Sequence, residues 1–396
     1  MHKKLLLILG LAGFTVMADN WVVSPILPSI AQNINVPVTR AGLLITAYMI
    51  PFGLFQLVFG PLADRYGKRQ VLNLTMFLFT FATALCAIGV SLTDLAIYRA
   101  LTGIFAASIM PVSLALIGDV VPMPQRQSAI GTFMGISFLG QGLSMAIGGT
   151  IAYFASWRGV FVIYAGLAIV STVLLFTAGR SIPSAKNPNS QFLAPYWRLV
   201  TNKDSALTYL VVLIEGILII GSFSYLGAFI EHIYHYNNLY IGLMMTAFGV
   251  LAVIGGRLSG KLAAKMGRKR VLGLGLLSAT LADVIFYLYG SQLVVLVIGI
   301  GLLGLGFMLA HSTLLTIATE FAPQARGTVM SLVAFCFMGG GGLGTALGGR
   351  LIAAHSYTWF FSVYALCLAI LILLAWLVVP GMVARQQPQP QPGSAR

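Results

Sequence analysis

The chain has 396 residues, 58% of them hydrophobic and only 8% charged, whereas soluble domains carry roughly 25% charged residues. With 9 acidic residues and a mean hydropathy of +0.93, an ordinary soluble surface is excluded and an integral membrane protein is implied. The net charge of +14 lies in short segments between apolar runs, without aromatic interleaving or zinc spacing; this argues for topology-setting loops and against nucleic-acid binding.

The apolar runs predict an all-α fold of twelve transmembrane helices, at roughly 4–31, 40–60, 70–91, 94–118, 127–153, 159–179, 206–231, 239–260, 270–290, 292–316, 327–353 and 357–380. In lipid only helices and closed barrels satisfy their backbone groups, and this pattern excludes a barrel. The first run opens "MHKKLLLILGLAGF", similar to the basic and apolar parts of a signal peptide. It continues past Asp19 to about Ile30 without a clear small-residue cleavage site, so it reads as an uncleaved first span. Asp19 and Asn20 therefore stand where hydrocarbon is expected. A charge at the bilayer centre costs at least about 2.5–3.5 kcal/mol, so Asp19 needs water, a partner or a proton.

Farther along, Arg99 falls early in the fourth span, Glu215 in the middle of the seventh, Asp283 within the ninth and His311 within the tenth. The longest polar interruption, residues 179–204, contains Pro183, Pro188 and Pro195 and reads as a linker, within which "YWRLVTNK" can form a short surface helix. The chain thus divides into a six-helix half at 1–179, a linker at 180–205, a second six-helix half at 206–383 and a disordered tail at 384–396, "RQQPQPQPGSAR" forming most of it. Lys3, Lys4, Arg65, Lys68, Arg69, Arg126, Lys261 to Arg270, Arg326 and Arg385 fall on one side. Both termini are then expected in the cytoplasm. Cys86, Cys336 and Cys367 lie in apolar runs and imply neither a disulfide framework nor a metal site.

The halves repeat at a shift of 200 residues. Gly42/Gly242, Thr46/Thr246, Gly60/Gly260, Gly67/Gly267, Arg126/Arg326, Gly148/Gly348, Gly149/Gly349, Phe161/Phe361 and Tyr164/Tyr364 match without a gap. A parallel repeat of this kind is expected of a secondary transporter whose site lies near midplane between the halves.

Four stretches carry a family resemblance. "GPLADRYGKR", Gly60 to Arg69, resembles the G-x-x-x-D-R-x-G-R-R loop of the major facilitator superfamily, with Lys68 in place of one Arg. "LAIYRALTGIFAA", Leu95 to Ala107, resembles its helix 4 pattern around an arginine, departing at Thr102 and Phe105. "GQGLSMAIGG", Gly140 to Gly149, occupies the place of the antiporter pattern on helix 5, with Ser144 and Met145 replacing its Gly-Pro pair. "SPILP", Ser24 to Pro28, resembles the helix 1 element of twelve-helix drug exporters. The chain is identified as a member of the superfamily, nearest to the drug:proton antiporters.

The resemblance implies two pseudo-symmetric six-helix halves that rock about a central site lined by helices 1, 4, 7 and 10. It implies a proton-coupled exporter of small amphipathic organic compounds in the inner (cytoplasmic) membrane, a monomer without cofactor, with protons, an organic substrate and the lipid bilayer as its partners. Asp19, Glu215 and Arg99 are then the proton-coupling candidates. A carboxyl in a low-dielectric site favours its neutral form, which makes such a group a proton carrier. The cavity candidates for substrate are Asn20, Tyr48, Gln141, Ser222, Tyr225, Phe229 and His311. Glu215, Ile219, Ser222, Tyr225 and Phe229 share one face if helix 7 is a regular α-helix.

The resemblance further implies that Gly60, Asp64, Arg65, Gly67, Arg69, Asp119 and Arg126 hold the loop end and gate the rocking. Positive-inside topology explains most of Lys68, Arg69 and Arg268 to Arg270, but not Asp64. The second copy of the loop has Ala264 where the first has Asp64, and reads as structural. Asp283 is expected to make a local polar contact. The altered helix 5 pattern keeps an uptake symporter for a small metabolite as the alternative, with a non-transporting receptor behind it. No nucleotide-binding loop, metal cluster or nucleophile constellation points to an enzyme.

Overall fold

A computed structural model describes residues 2–184, 194–321 and 326–379. Among the described residues twelve helices are long and apolar enough to cross a membrane: α1 Lys4–Trp21, α2 Val38–Tyr66, α3 Lys68–Ile88, α4 Leu92–Val120, α5 Ala129–Phe154, α6 Trp157–Arg180, α7 Lys203–Tyr234, α8 Asn238–Met266, α9 Arg268–Tyr289, α10 Leu293–Phe321, α11 Gly327–Ala354 and α12 Tyr357–Val378. Each expected span is occupied by one of them. The linker helix also forms, at Ala194–Thr201. The expected tail at 384–396 and the middle of the linker lie outside the described residues.

Several spans are less regular than their apolar patterns predict, the second among them, which turns at Gly42 between Val38–Ala41 and Leu43–Tyr66. The first run is two helices: α1 gives way at Val22 to a second segment, Val23–Asn33, which contains Pro25 and Pro28. Proline lacks the N–H that a helix interior needs, so a break here follows from the sequence "SPILP". The fourth span turns at Ala107 and Ser108 between Leu92–Ala106 and Ile109–Val120. The seventh widens into a π-helix over Gly216–Ile220, between Lys203–Glu215 and Gly221–Tyr234.

The internal repeat is visible in local chemistry. Ser156 caps α6 by accepting from the Gly159 N–H at 3.2 Å, and Ser356 caps α12 by accepting from the Trp359 N–H at 3.1 Å. Tyr164 donates to the Ser144 carbonyl at 3.4 Å, as Tyr364 donates to Gly344 at 2.7 Å. Gly67 and Gly267 turn between spans with φ of +102° and +88°, a region that side chains oppose.

Within the first half α1 packs on α5, α2 on α4 and α3 on α6; in the second, α10 packs on α8 and α9, and α9 on α12. The halves meet along two seams, α2 against α11 and α5 against α8. Lipid offers apolar side chains little reason to leave it, so helices associate through close packing and hydrogen bonds. Small residues line the seams accordingly. A Cβ placed on Gly149 of α5 would stand 3.0 Å from the Cα of Gly242 on α8.

At the end of the bundle away from the start of α1, hydrogen bonds join the halves. Ser24 donates to the carbonyls of Phe223 at 2.8 Å and Ser224 at 3.0 Å, Ser29 to Asn238 at 2.9 Å, and Thr46 to Gly342 at 3.0 Å. At the opposite end Tyr196 of the linker helix donates to the Leu57 carbonyl at 3.1 Å.

Candidate functional site

Among the described residues two acid–base pairs built on buried carboxylates stand within the spans, one in each half. In the first, Arg99 on α4 donates through Nη1 to Asp19 Oδ2 on α1 at 2.8 Å, with both residues buried. The guanidinium also lies 4.2 Å from the ring centroid of Tyr48 on α2 and 5.8 Å from that of Phe161 on α6. Four helices thus converge on one cation. An aromatic face favours a cation that has lost its water, and a buried arginine is tolerated only with a close anionic partner. The opening difficulty of a carboxylate amid hydrocarbon is met by Arg99, not by exposure to water: Asp19 is 0% exposed and Arg99 1%.

In the second half, Glu215 of α7 faces His311 of α10, Oε2 to Nδ1, at 3.2 Å. The Glu215 side chain is fully buried, while that of His311 keeps 18% of its surface exposed. Helix rise puts Arg99 about 10 Å, and His311 about 27 Å, from the starts of their helices at the far end. The pairs therefore occupy pseudo-equivalent helices at different depths.

Aromatic side chains fill the interval between them. The Trp21 ring, two residues beyond Asp19, meets Phe223 at 4.9 Å, Phe248 at 5.4 Å and Phe307 at 6.0 Å. Phe307 stacks on Phe337 at 5.3 Å, and Phe337 meets the His311 ring at 4.1 Å. The cluster draws on α1, α7, α8, α10 and α11 and crosses the seam between halves. Sequence reasoning missed all five of these residues, since an aromatic side chain in an apolar helix carries no mark that separates a seam from a core.

Around Asp19 several polar atoms have no hydrogen-bond partner among the described residues: Asp19 Oδ1, Arg99 Nε, the Tyr48 hydroxyl and both side-chain polar atoms of Asn20. The same holds for Glu215 Oε1. Such groups are costly when left unpaired, and they are the places where a polar ligand or water gains most. Gln141 is buried on α5, beside Gly142, which approaches Gly249 across the seam. Among the described residues no group of three His, Cys, Asp or Glu could hold a metal ion.

Three substrate candidates are placed elsewhere. Ser222 donates to Asp283 Oδ2 on α9 at 2.9 Å, which gives Asp283 the local polar contact expected of it. Tyr225 donates to the Thr345 carbonyl at 3.1 Å and lies 3.4 Å from that of Thr39, at the far-end closure. Phe229 packs on Phe361 at 4.9 Å and Tyr357 at 5.7 Å. The expected common face with Glu215 does not form. The π-helical segment directly after Glu215 adds residues to the turn, so every later side chain is rotated away from the α-helical register.

The loop between α2 and α3 is organised by Lys68. Lys68 Nζ lies 3.1 Å from Asp64 and 2.6 Å from Asp119, joining α2, α3 and α4. Arg69 donates to the carbonyls of Arg180 and Ile182, the latter at 3.1 Å, and so fastens the end of α6. Arg65 lies over Tyr66 at 5.8 Å. Gly60 faces Tyr196 and Ser331 at ordinary contact distance, and Gly67 makes the turn. The Arg126 side chain lies outside the described residues.

The sequence model of the family described as Major Facilitator Superfamily matches residues 9–239 and 208–395. A Bacillus subtilis (strain 168) protein named "Uncharacterized MFS-type transporter YceJ" is 26% identical over 345 residues, covering 85% of this chain and 86% of its own. The Schizosaccharomyces pombe "Multidrug resistance protein fnx1" is 30% identical over 190 residues, 47% of this chain and 35% of its own. Among solved structures, that of the "nucleoside transporter NupG" superposes with a TM-score of 0.78 at 13% identity, covering 96% of this chain and 100% of that one.

Proposed function

The chain belongs to the major facilitator superfamily, and on that premise we propose that it is a proton-coupled exporter of small amphipathic organic compounds. The observation that carries the reading is the pair of acid–base contacts made by buried carboxylates, Asp19–Arg99 and Glu215–His311, on either side of an aromatic cluster at the seam. The twofold repeat and the relatives' transporter names support transport; the partial match to a multidrug resistance protein supports export. The basic residues at the end where α1 begins support a cytoplasmic placement of the described termini in the inner membrane.

The proposed cycle uses charge neutralisation. A proton taken up by Glu215 removes the anion that His311 faces and lets the π-helical part of α7 change its packing on α11. Substrate binds against the Trp21–Phe337 aromatic surface, with Asn20, Tyr48 and Gln141 offering polar contacts from the first half. Asp19 and Arg99 exchange their mutual contact for contacts with proton or substrate. Opening of the far end requires the bonds from Ser24 and Ser29, and the contact of Tyr225 with the Thr39 carbonyl, to break. The loop residues Gly60, Asp64, Arg65, Gly67, Arg69, Asp119 and Arg126 act with Lys68 to hold the first half rigid while it rocks.

Everted membrane vesicles with an acidic interior test the reading. Adding an exported compound should dissipate the gradient, and Glu215→Gln should abolish that response while substrate counterflow persists. Gradient-driven transport that survives both Asp19→Asn and Glu215→Gln would refute proton coupling at these sites. Ser144 and Met145, which replace the antiporter Gly-Pro pair, favour a second reading as an uptake symporter. That reading predicts proton and substrate movement in the same direction in the same vesicles.

A further inference from the structure

The two copies of the interhelical loop differ in a way that leaves a crevice in the second half. In the first copy Lys68 is held between the carboxylates of Asp64 and Asp119. At the shift of 200 these positions are Arg268, Ala264 and Thr319. The second copy therefore keeps the bases and loses both acids. Gly260 to Arg270 carries Lys261, Lys265, Arg268, Lys269 and Arg270 with no acidic residue. Glu320 engages Arg268 through its Nη1.

A crevice of about 750 Å³ opens beside Ala264, the counterpart of Asp64, lined among others by Arg268, Lys269, Arg270, Thr316 and Trp376. Its size fits a small-molecule group. Its lining combines guanidinium and ammonium groups with hydroxyls, the donor set that phosphate oxygens accept from. Trp376, at the end of α12, is 49% exposed, and Lys269 Nζ lies 5.5 Å from its ring centroid. A tryptophan beside a lysine near a span end is the arrangement found at the level of lipid headgroups.

We infer that this crevice binds a phosphate-bearing anion, an acidic phospholipid headgroup or a soluble phosphate ester, in place of the absent carboxylates. The anion bridges Lys269 and Arg270 at the start of α9 to the hydroxyl-bearing face of α10, as Asp64 and Asp119 bridge α2, α3 and α4 in the first half. The inference is independent of proton coupling and of transport direction.

Native mass spectrometry of the full chain, released from nanodiscs of mixed phosphatidylglycerol and phosphatidylcholine, provides the test. The unmodified protein should retain phosphatidylglycerol. Lys269→Gln with Arg270→Gln should lower its retention about 25-fold, at about fivefold per basic side chain. Ala264→Asp, which restores an internal carboxylate, should also lower it, with thermal melting confirming that each variant is folded. Lys261→Gln with Lys265→Gln removes the same charge from the same loop outside the crevice and should leave retention within about twofold, because surface attraction is screened while built contacts are not. Added glycerol phosphate distinguishes the sources: displacement of the lipid identifies a soluble ester, and undiminished retention identifies the headgroup. Equal loss in both double variants, or equal retention by the Lys269/Arg270 variant and the unmodified protein, overturns the assignment.

Discussion

At the scale of single residues, the buried charges divide by what they lose when a partner is removed. Arg99 has the carboxylate of Asp19, the face of Tyr48 and little else. Truncating one member of a buried ion pair leaves the other uncompensated, at a cost of about 3–5 kcal/mol. Arg99→Ala and Asp19→Ala are each expected to lower the unfolding temperature in detergent strongly. The double substitution should cost less than the two combined, which a double-mutant cycle will measure. Asp283 behaves differently, because its contact is a hydroxyl that an amide oxygen also accepts from. Asp283→Asn is expected to change stability by less than about 1 kcal/mol and to leave transport intact; loss of transport would place Asp283 in the coupling path. The acids themselves were legible in the sequence, as a carboxylate within an apolar run stands out. The Glu215–His311 contact was not legible, since the two are 96 positions apart and no spacing rule relates helices that meet only on folding.

At the scale of elements, the twelve spans were legible because lipid imposes helical length and apolar composition on each separately. Breaks within spans were not anticipated, although Pro25 and Pro28 mark the one that follows α1. The π-helical turn in α7, "GILII", has no such mark. It arises beside α11, where a Cβ on Gly216 would stand 3.0 Å from the carbonyl carbon of Phe337. Gly216→Val should force α7 from α11 and cost about 1–3 kcal/mol by overpacking, read as a lower unfolding temperature. The Lys68 contacts are a milder case. Both carboxylates are more than two-fifths exposed, so Lys68→Ala should change stability by no more than about 1 kcal/mol. Under the proposed gating role the variant should nevertheless slow transport, and a full transport rate would remove the loop from the gate. Sequence reasoning assigned Lys68 to topology, because charge at a loop reports which side of the membrane it occupies and not which carboxylates it faces.

At the scale of the whole molecule, the far-end closure depends on backbone approach across the seams. Gly149 and Gly242 meet there, and the Tyr225 hydroxyl of α7 reaches the Thr39 carbonyl of α2 at 3.4 Å. Gly149→Val should hold the halves apart at that end. A cysteine placed at Ser24 should then react faster with a water-soluble maleimide than it does in an otherwise unmodified background; an unchanged rate would show that the seam tolerates the side chain. The sequence by itself determined the membrane class, the number of spans, the repeat at 200 residues and the acids that need partners. Those properties are local or additive, set by the transfer of each segment into lipid and by the duplication of one half. Tertiary structure alone decided which base meets which acid, which aromatic rings occupy the seam, where helix 7 loses its register and where the second half keeps a basic crevice. Each of these depends on side chains from helices distant in the chain, and contact at 3 to 6 Å between them follows from how the helices pack, which apolar periodicity does not encode.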